Sequence, residues 1–181
     1  MKTEIHSLTT TALFAAIISI SAFIRIPTSI VPLTFQSVAV LIAGYSLGPR
    51  QGAFAVILYT AVGLIGLPVF SSGGGPAYVL SPTFGYIIGF TFCAVITGYL
   101  AKFNVRGSAF FAYLIMLAGL AGIYIPGVLW LYVSQEWILA VHTDITTVIK
   151  AGLLIPLAGD LVTTVPAAIA AVRIRESIYR L

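Results

Sequence analysis

Charge is what this sequence has least of: 8% of its 181 residues are charged, nine basic and five acidic. With 60% hydrophobic residues and a mean hydropathy of +1.09, too little polar surface remains to cover a water-soluble globule. The single cysteine, Cys93, lies in an apolar run, which excludes a disulfide framework and a thiolate pair for zinc and fits a buried structural thiol. The only histidines, His6 and His142, fall outside the apolar blocks, so no metal-binding pair and no nucleophile–base couple is visible within them. A nucleotide-binding loop is missing too. The triple glycine Gly73, Gly74, Gly75 is followed by Pro76, Ala77 and Tyr78 and not by the lysine and hydroxyl residue that hold phosphate and magnesium. The net charge of +4 needs no nucleic-acid partner, because basic residues are expected at the ends of membrane helices.

What is there is six apolar blocks, at residues 7–24, 34–48, 52–67, 83–101, 108–133 and 151–172. At about 20 residues per crossing they predict an all-α integral membrane protein of six transmembrane helices, one domain over residues 1–181, with the second and third helices short or tilted. The first block is expected to be a retained helix and not a signal peptide, since Glu4 sits where a basic region would be and no small-residue cleavage site follows. Six crossings put both termini on one side. Lys2, Arg50, Lys102, Arg106, Arg173, Arg175 and Arg180 then share that side, against Arg25 and Lys150 on the other. This seven-to-two bias predicts cytoplasmic termini and outward loops near residues 25–33, 68–82 and 134–150.

Asp160 is the only acidic residue inside any block, and a charge at mid-membrane costs about 2.5–3.5 kcal/mol on insertion scales. Pro156, Gly159 and Pro166 around it loosen the helix. Such a residue either binds a ligand in a wet cavity or ties helices together through hydrogen bonds. Gln36, just inside the second block, offers a donor and an acceptor, for a ligand or for a neighbouring helix. Tyr78 and Tyr86 can stack on a ligand ring, though most of the nine tyrosines must serve packing or the membrane interface. The stretch "PVFSSGGGPAYVLSPTFGY" reads as a flexible connector or as a lid over a ligand. Ala12 and Ala16 share one face of the first helix at a spacing that permits close helix approach, inside the protein or against a partner.

These residues resemble a known family: the BioY family, biotin-specific substrate-binding (S) components of energy-coupling factor (ECF) transporters. The resemblance runs through "ALFAAIISISAFIRIP", "VPLTFQ", "GYSLGPRQGAFAVILYTAVGLIGLPVF", "SPTFGYIIGF", "GVLWL" and the "GD" of Gly159 and Asp160. It implies an ECF S-component-like bundle in the cytoplasmic membrane that binds biotin near its outer face, with the loops after the first and third helices closing over it. It implies a transporter subunit and not an enzyme, with no cofactor and no metal. The partners it implies are a transmembrane (T) subunit and two cytoplasmic ATPases, with Ala12 and Ala16 as the docking face and tilting of the whole subunit as the transport step. Within that resemblance Asp160, Gln36, Tyr86, Thr83 and Thr163 are the expected ligand contacts, and Gly74 and Gly75 let the loop backbone approach a small ring system. The family usually carries a lysine three residues after the aspartate; here Thr163 stands there, one turn along the same face, and a threonine only hydrogen-bonds. Arg25 and Lys150, the basic residues on the outward side, are the substitutes for pairing with the biotin carboxylate, each also serving as a helix-end anchor. The alternatives are an S-component for another small vitamin, or a membrane-embedded enzyme using Asp160, which would need a second reactive group facing it.

Overall fold

The computed structural model describes residues 2–27 and 30–179. Helix α1 (Lys2–Ser21) begins before the apolar block does. Along its first turns Thr9, Thr10 and Thr11 turn their hydroxyls back onto the carbonyls of Ile5, His6 and Ser7 at 2.8–2.9 Å, which satisfies them within the helix. After a turn at Ala22 and Phe23 the chain forms a two-residue antiparallel ladder, β1 (Arg25–Ile26) with β2 (Leu33–Thr34), pairing Arg25 with Thr34 and Ile26 with Leu33. Helices α2 (Gln36–Leu47) and α3 (Pro49–Leu64) follow, joined through Gly48, whose φ of 84° reverses the chain in one residue. The glycine-rich loop contains a 3₁₀ turn (Pro76–Leu80) and leads into α4 (Phe84–Leu100) and α5 (Ala109–Val133).

The last rod is longer than its apolar block. Helix α6 (Ile145–Ile149) passes through a π turn (Lys150–Leu154) into α7 (Ile155–Tyr179). Pro156, at the start of α7, has no N–H to give to the preceding turn, and the wider π spacing accommodates that loss. Three rods, Phe84–Phe103, Ala109–Ile138 and Ile145–Ile178, are long and apolar enough to cross a membrane, and Ile5–Ser21 and Gln36–Leu47 are shorter apolar helices. This is a multi-pass membrane protein with a mostly helical fold.

Helix α2 is the axis of the bundle. It packs against α1, α3, α4, α5 and α7, and all of its 12 residues except Val38 and Ile42 are buried. The most extensive helix contact is the seam between α4 and α5, where a Cβ on Gly89 would lie 2.5 Å from the carbonyl oxygen of Ile123. Membrane helices gain association energy from such backbone proximity because lipid already solvates apolar side chains. Gly89→Val is expected to push the seam apart and destabilise the protein by about 1–3 kcal/mol. Thermal unfolding in detergent is the check, and an unchanged midpoint would mean that the seam tolerates the extra bulk.

One end of the bundle is held by Tyr45, which accepts a hydrogen bond at its hydroxyl from Asn104 Nδ2 (2.6 Å) and at its carbonyl from Arg175 (3.1 Å). The other end, with the hairpin, the glycine-rich loop and the start of α6, carries the cavity.

Candidate functional site

The cavity takes in about 550 Å³ of space between atoms, its open mouth included. Its walls come from the β1–β2 hairpin, the first turn of α2, the glycine-rich loop, the start of α4, the middle of α5 and the start of α7. Convergence of so many elements follows from the shortness of α2, which stops at Gln36 and leaves the space beyond it to the loops.

Asp160 on α7 is the one charged side chain among the described lining residues. Ser37 on α2 donates to its Oδ1 at 2.6 Å, and Tyr124 on α5 donates to its Oδ2 at 2.7 Å. Three helices therefore fix the plane of one carboxylate. A carboxylate offers about four lone-pair positions, so two remain for a ligand. Beside it, Gln36 is 4% exposed and donates through Nε2 to the Tyr59 hydroxyl at 2.6 Å, while Thr34 approaches its Oε1 at 3.4 Å. Tyr86 presents its ring to the cavity and meets Tyr124 edge-on at 6.2 Å, and its hydroxyl donates to the carbonyl of Gly152 in the π turn at 2.7 Å. Tyr86 thus braces α4 against the last rod.

The glycine-rich loop is folded back, not extended. Phe70, 2% exposed, packs onto Gly63 and lies 5.4 Å from the Tyr59 ring and 4.5 Å from the Tyr78 ring. Gly75 N–H donates to the carbonyl of Gly63 at 2.8 Å, and Phe70 and Gly73 exchange backbone hydrogen bonds at 2.9 and 3.3 Å. Gly73 and Gly75 have φ of 121° and 104°, where a side chain is strained. Gly74 lies against the carbonyl of Leu67, with room for no Cβ. The loop's inner surface is made by Ser71 and Tyr78, which face Thr83 at the entrance to α4.

Of the residues singled out from sequence, Asp160, Gln36, Thr83 and Tyr86 come together around the cavity. Gly74 and Gly75 shape the loop behind the lining. Thr163 lies outside the lining and donates to the carbonyls of Gly159 (3.1 Å) and Asp160 (3.3 Å) on its own helix. Lys150 is exposed in the π turn, away from the lining. Arg25 is also outside it, but its guanidinium donates to the carbonyl oxygen of Ser71, joining the hairpin to the loop. Ala12 and Ala16 are exposed on the outer surface of α1. Sequence reasoning missed Ser37, Tyr124 and Ser71. Ser37 adjoins Gln36 and was findable by its place at a helix start; Tyr124 sits in an apolar run with nothing to distinguish it from eight other tyrosines. Among the described residues no group of three His, Cys, Asp or Glu side chains is placed to hold a metal.

A family model described as the BioY family matches residues 1–180. The chain is 38% identical over 168 residues to a probable biotin transporter BioY of Lysinibacillus sphaericus, covering 93% of this chain and 86% of that one. It is 37% identical over 165 residues to the biotin transporter BioY of Thermotoga maritima, covering 91% and 92%. Among solved structures, the S-component for biotin from an ECF-type ABC transporter superimposes with a TM-score of 0.83 at 28% identity, over 97% of this chain and 93% of that one.

Proposed function

Since the chain belongs to the BioY family, we propose that it binds biotin in the cavity around Asp160 and is the substrate-specific subunit of an ECF-type uptake system. The observation that carries this reading is the carboxylate of Asp160, oriented from two sides by Ser37 and Tyr124 with acceptor positions left over. The ureido ring of biotin has two N–H donors that suit such an acceptor, and hydrogen bonds to an ionised group are about twice as strong as neutral ones. The rings of Tyr86 and Phe90 offer apolar walls to the fused bicycle, and Gln36 supplies a polar edge. The hairpin and the glycine-rich loop, tied by Arg25, cover the ligand.

The cavity end faces outward in the cytoplasmic membrane, and the termini lie inside. The bias of basic residues supports this orientation, since Arg50, Lys102, Arg106, Arg173 and Arg175 cluster at the end opposite the cavity. A T subunit and two ATPases supply the energy. The missing nucleotide motif agrees with that, and the exposed Ala12 and Ala16 offer α1 a smooth surface for close approach of a partner helix. Uptake then proceeds by tilting of the loaded subunit.

Purified protein is expected to bind labelled biotin saturably, with displacement by free biotin and none by thiamine, riboflavin or pantothenate. Displacement by one of those vitamins would reassign the ligand. In cells, biotin uptake is expected only when the ATPase module is present, and uptake without it would remove the partners from the mechanism.

A further inference from the structure

An anionic ligand poses a problem in this cavity. The one charged side chain among its described lining residues is Asp160, an anion, and Thr163, Lys150 and Arg25 all lie outside that lining. A carboxylate entering here must therefore be satisfied without a cation in direct contact, or be repelled.

The glycine-rich loop holds the other half of the answer. Four hydroxyls stand in a row: Ser71 Oγ is 3.1 Å from Tyr78 Oη, Tyr78 Oη is 3.0 Å from Thr83 Oγ1, and Thr83 Oγ1 is 3.0 Å from Ser81 Oγ. The row has four protons and three links, and each link uses one proton. One O–H is therefore always left without an acceptor inside the row. Hydroxyl rotors reorient, so an incoming acceptor takes the spare proton without loss and a second one in exchange for a link of the row. Ser71, Tyr78 and Thr83 all line the cavity. Behind Ser71, the Arg25 guanidinium donates to its carbonyl oxygen, which ties this part of the loop to the hairpin. The cavity lining thus holds an acceptor at Asp160 and a separate set of donors at the hydroxyl row.

We propose that the hydroxyls of Ser71, Tyr78 and Thr83 form the subsite for the ligand's carboxylate, held by neutral donors and not by a cation in contact. The inference rests on the biotin reading, in which the ureido ring occupies Asp160. Hydrogen bonds between neutral donors and an ionised acceptor are each worth roughly a factor of 10 to 100 in affinity. A ligand with the same rings but a neutral amide end loses most of that gain.

The test compares biotin with biotinamide on purified protein, in the parent and in Tyr78→Phe, Thr83→Val, Lys150→Gln and Arg25→Gln. The parent is expected to prefer biotin by about 10-fold or more. Tyr78→Phe and Thr83→Val are expected to reduce that preference at least about fivefold while biotinamide binding persists, and the persistence shows that the fold is intact. Lys150→Gln is expected to change neither ligand, and Arg25→Gln to weaken both by the same factor through the loop. A preference unchanged in both hydroxyl variants, or collapsing in Lys150→Gln or Arg25→Gln instead, overturns the subsite and leaves biotin binding standing. Failure of the parent to bind either ligand overturns the biotin reading, and the subsite falls with it.

Discussion

Asp160→Ala is expected to weaken biotin binding by about 30- to 5,000-fold, the range for deleting one partner of a buried, hydrogen-bonded charged contact. The size follows from how completely the surrounding structure is organised for that carboxylate. Ser37 and Tyr124 already donate to it, so the protein has met the cost of orienting it before a ligand arrives. Removing it also leaves those two hydroxyls without an acceptor, an added penalty of about 1–3 kcal/mol each where no water reaches them. Asp160→Asn separates charge from shape. The amide keeps one acceptor and adds an NH₂ that competes with the ureido donors, so its affinity is expected between those of the parent and the alanine variant. Equilibrium binding with labelled biotin is the measurement, and an alanine variant that binds as tightly as the parent would remove Asp160 from the site.

The second large effect is expected from a single methyl group. In Gly74→Ala the new Cβ would lie 2.1 Å from the Leu67 carbonyl oxygen and 3.1 Å from that of Gly63, both backbone atoms that cannot rotate away. The loop must lift from the end of α3, and with it the Ser71 and Tyr78 side chains that form its inner surface. Overpacking of this kind costs about 1–3 kcal/mol, and since it falls on the loop and not the bundle, biotin affinity is expected to drop by about 5- to 150-fold with the melting temperature nearly unchanged. Ser72→Ala, at the neighbouring exposed position, is the control and is expected to bind like the parent. If Gly74→Ala matches the parent in affinity and association rate, the loop is a connector and not a lid.

Much of the fold was legible because membrane helices announce themselves by unbroken apolarity, as in α4 and α5, whose ends fall within a residue of the apolar blocks. The ends of α1 and α7 were less so. Helix α1 starts at Lys2, five residues before its apolar block, and the last rod begins in the polar segment before Lys150. Asp160 stood out because a lone acid in an apolar run has few structural reasons to exist. Its partners did not, because Ser37 and Tyr124 lie 123 and 36 residues away and are ordinary in their own contexts. Likewise the glycines announced a bend, while the hydroxyl row they position depends on where Phe70 anchors, which no local pattern encodes.

The brevity of α2 has a further consequence for the membrane as an electrical insulator. At about 1.5 Å per residue its 12 residues span about 18 Å, so a hydrocarbon layer of about 30 Å is hollowed from one side and plugged on the other. The plug is dense: Val40, Leu41 and Ala43 are 0% exposed and Tyr45 is 1% exposed. Ser46 and Thr97, buried among these helices, spend their hydroxyl protons on the carbonyls of Ala171 and Cys93, and the buried Thr164 hydroxyl has no hydrogen-bond partner, so none of the three is linked to another. A cavity can therefore stand open to vitamin and water without short-circuiting the ion gradients across the bilayer, because the seal beneath it is a helix packed among five others.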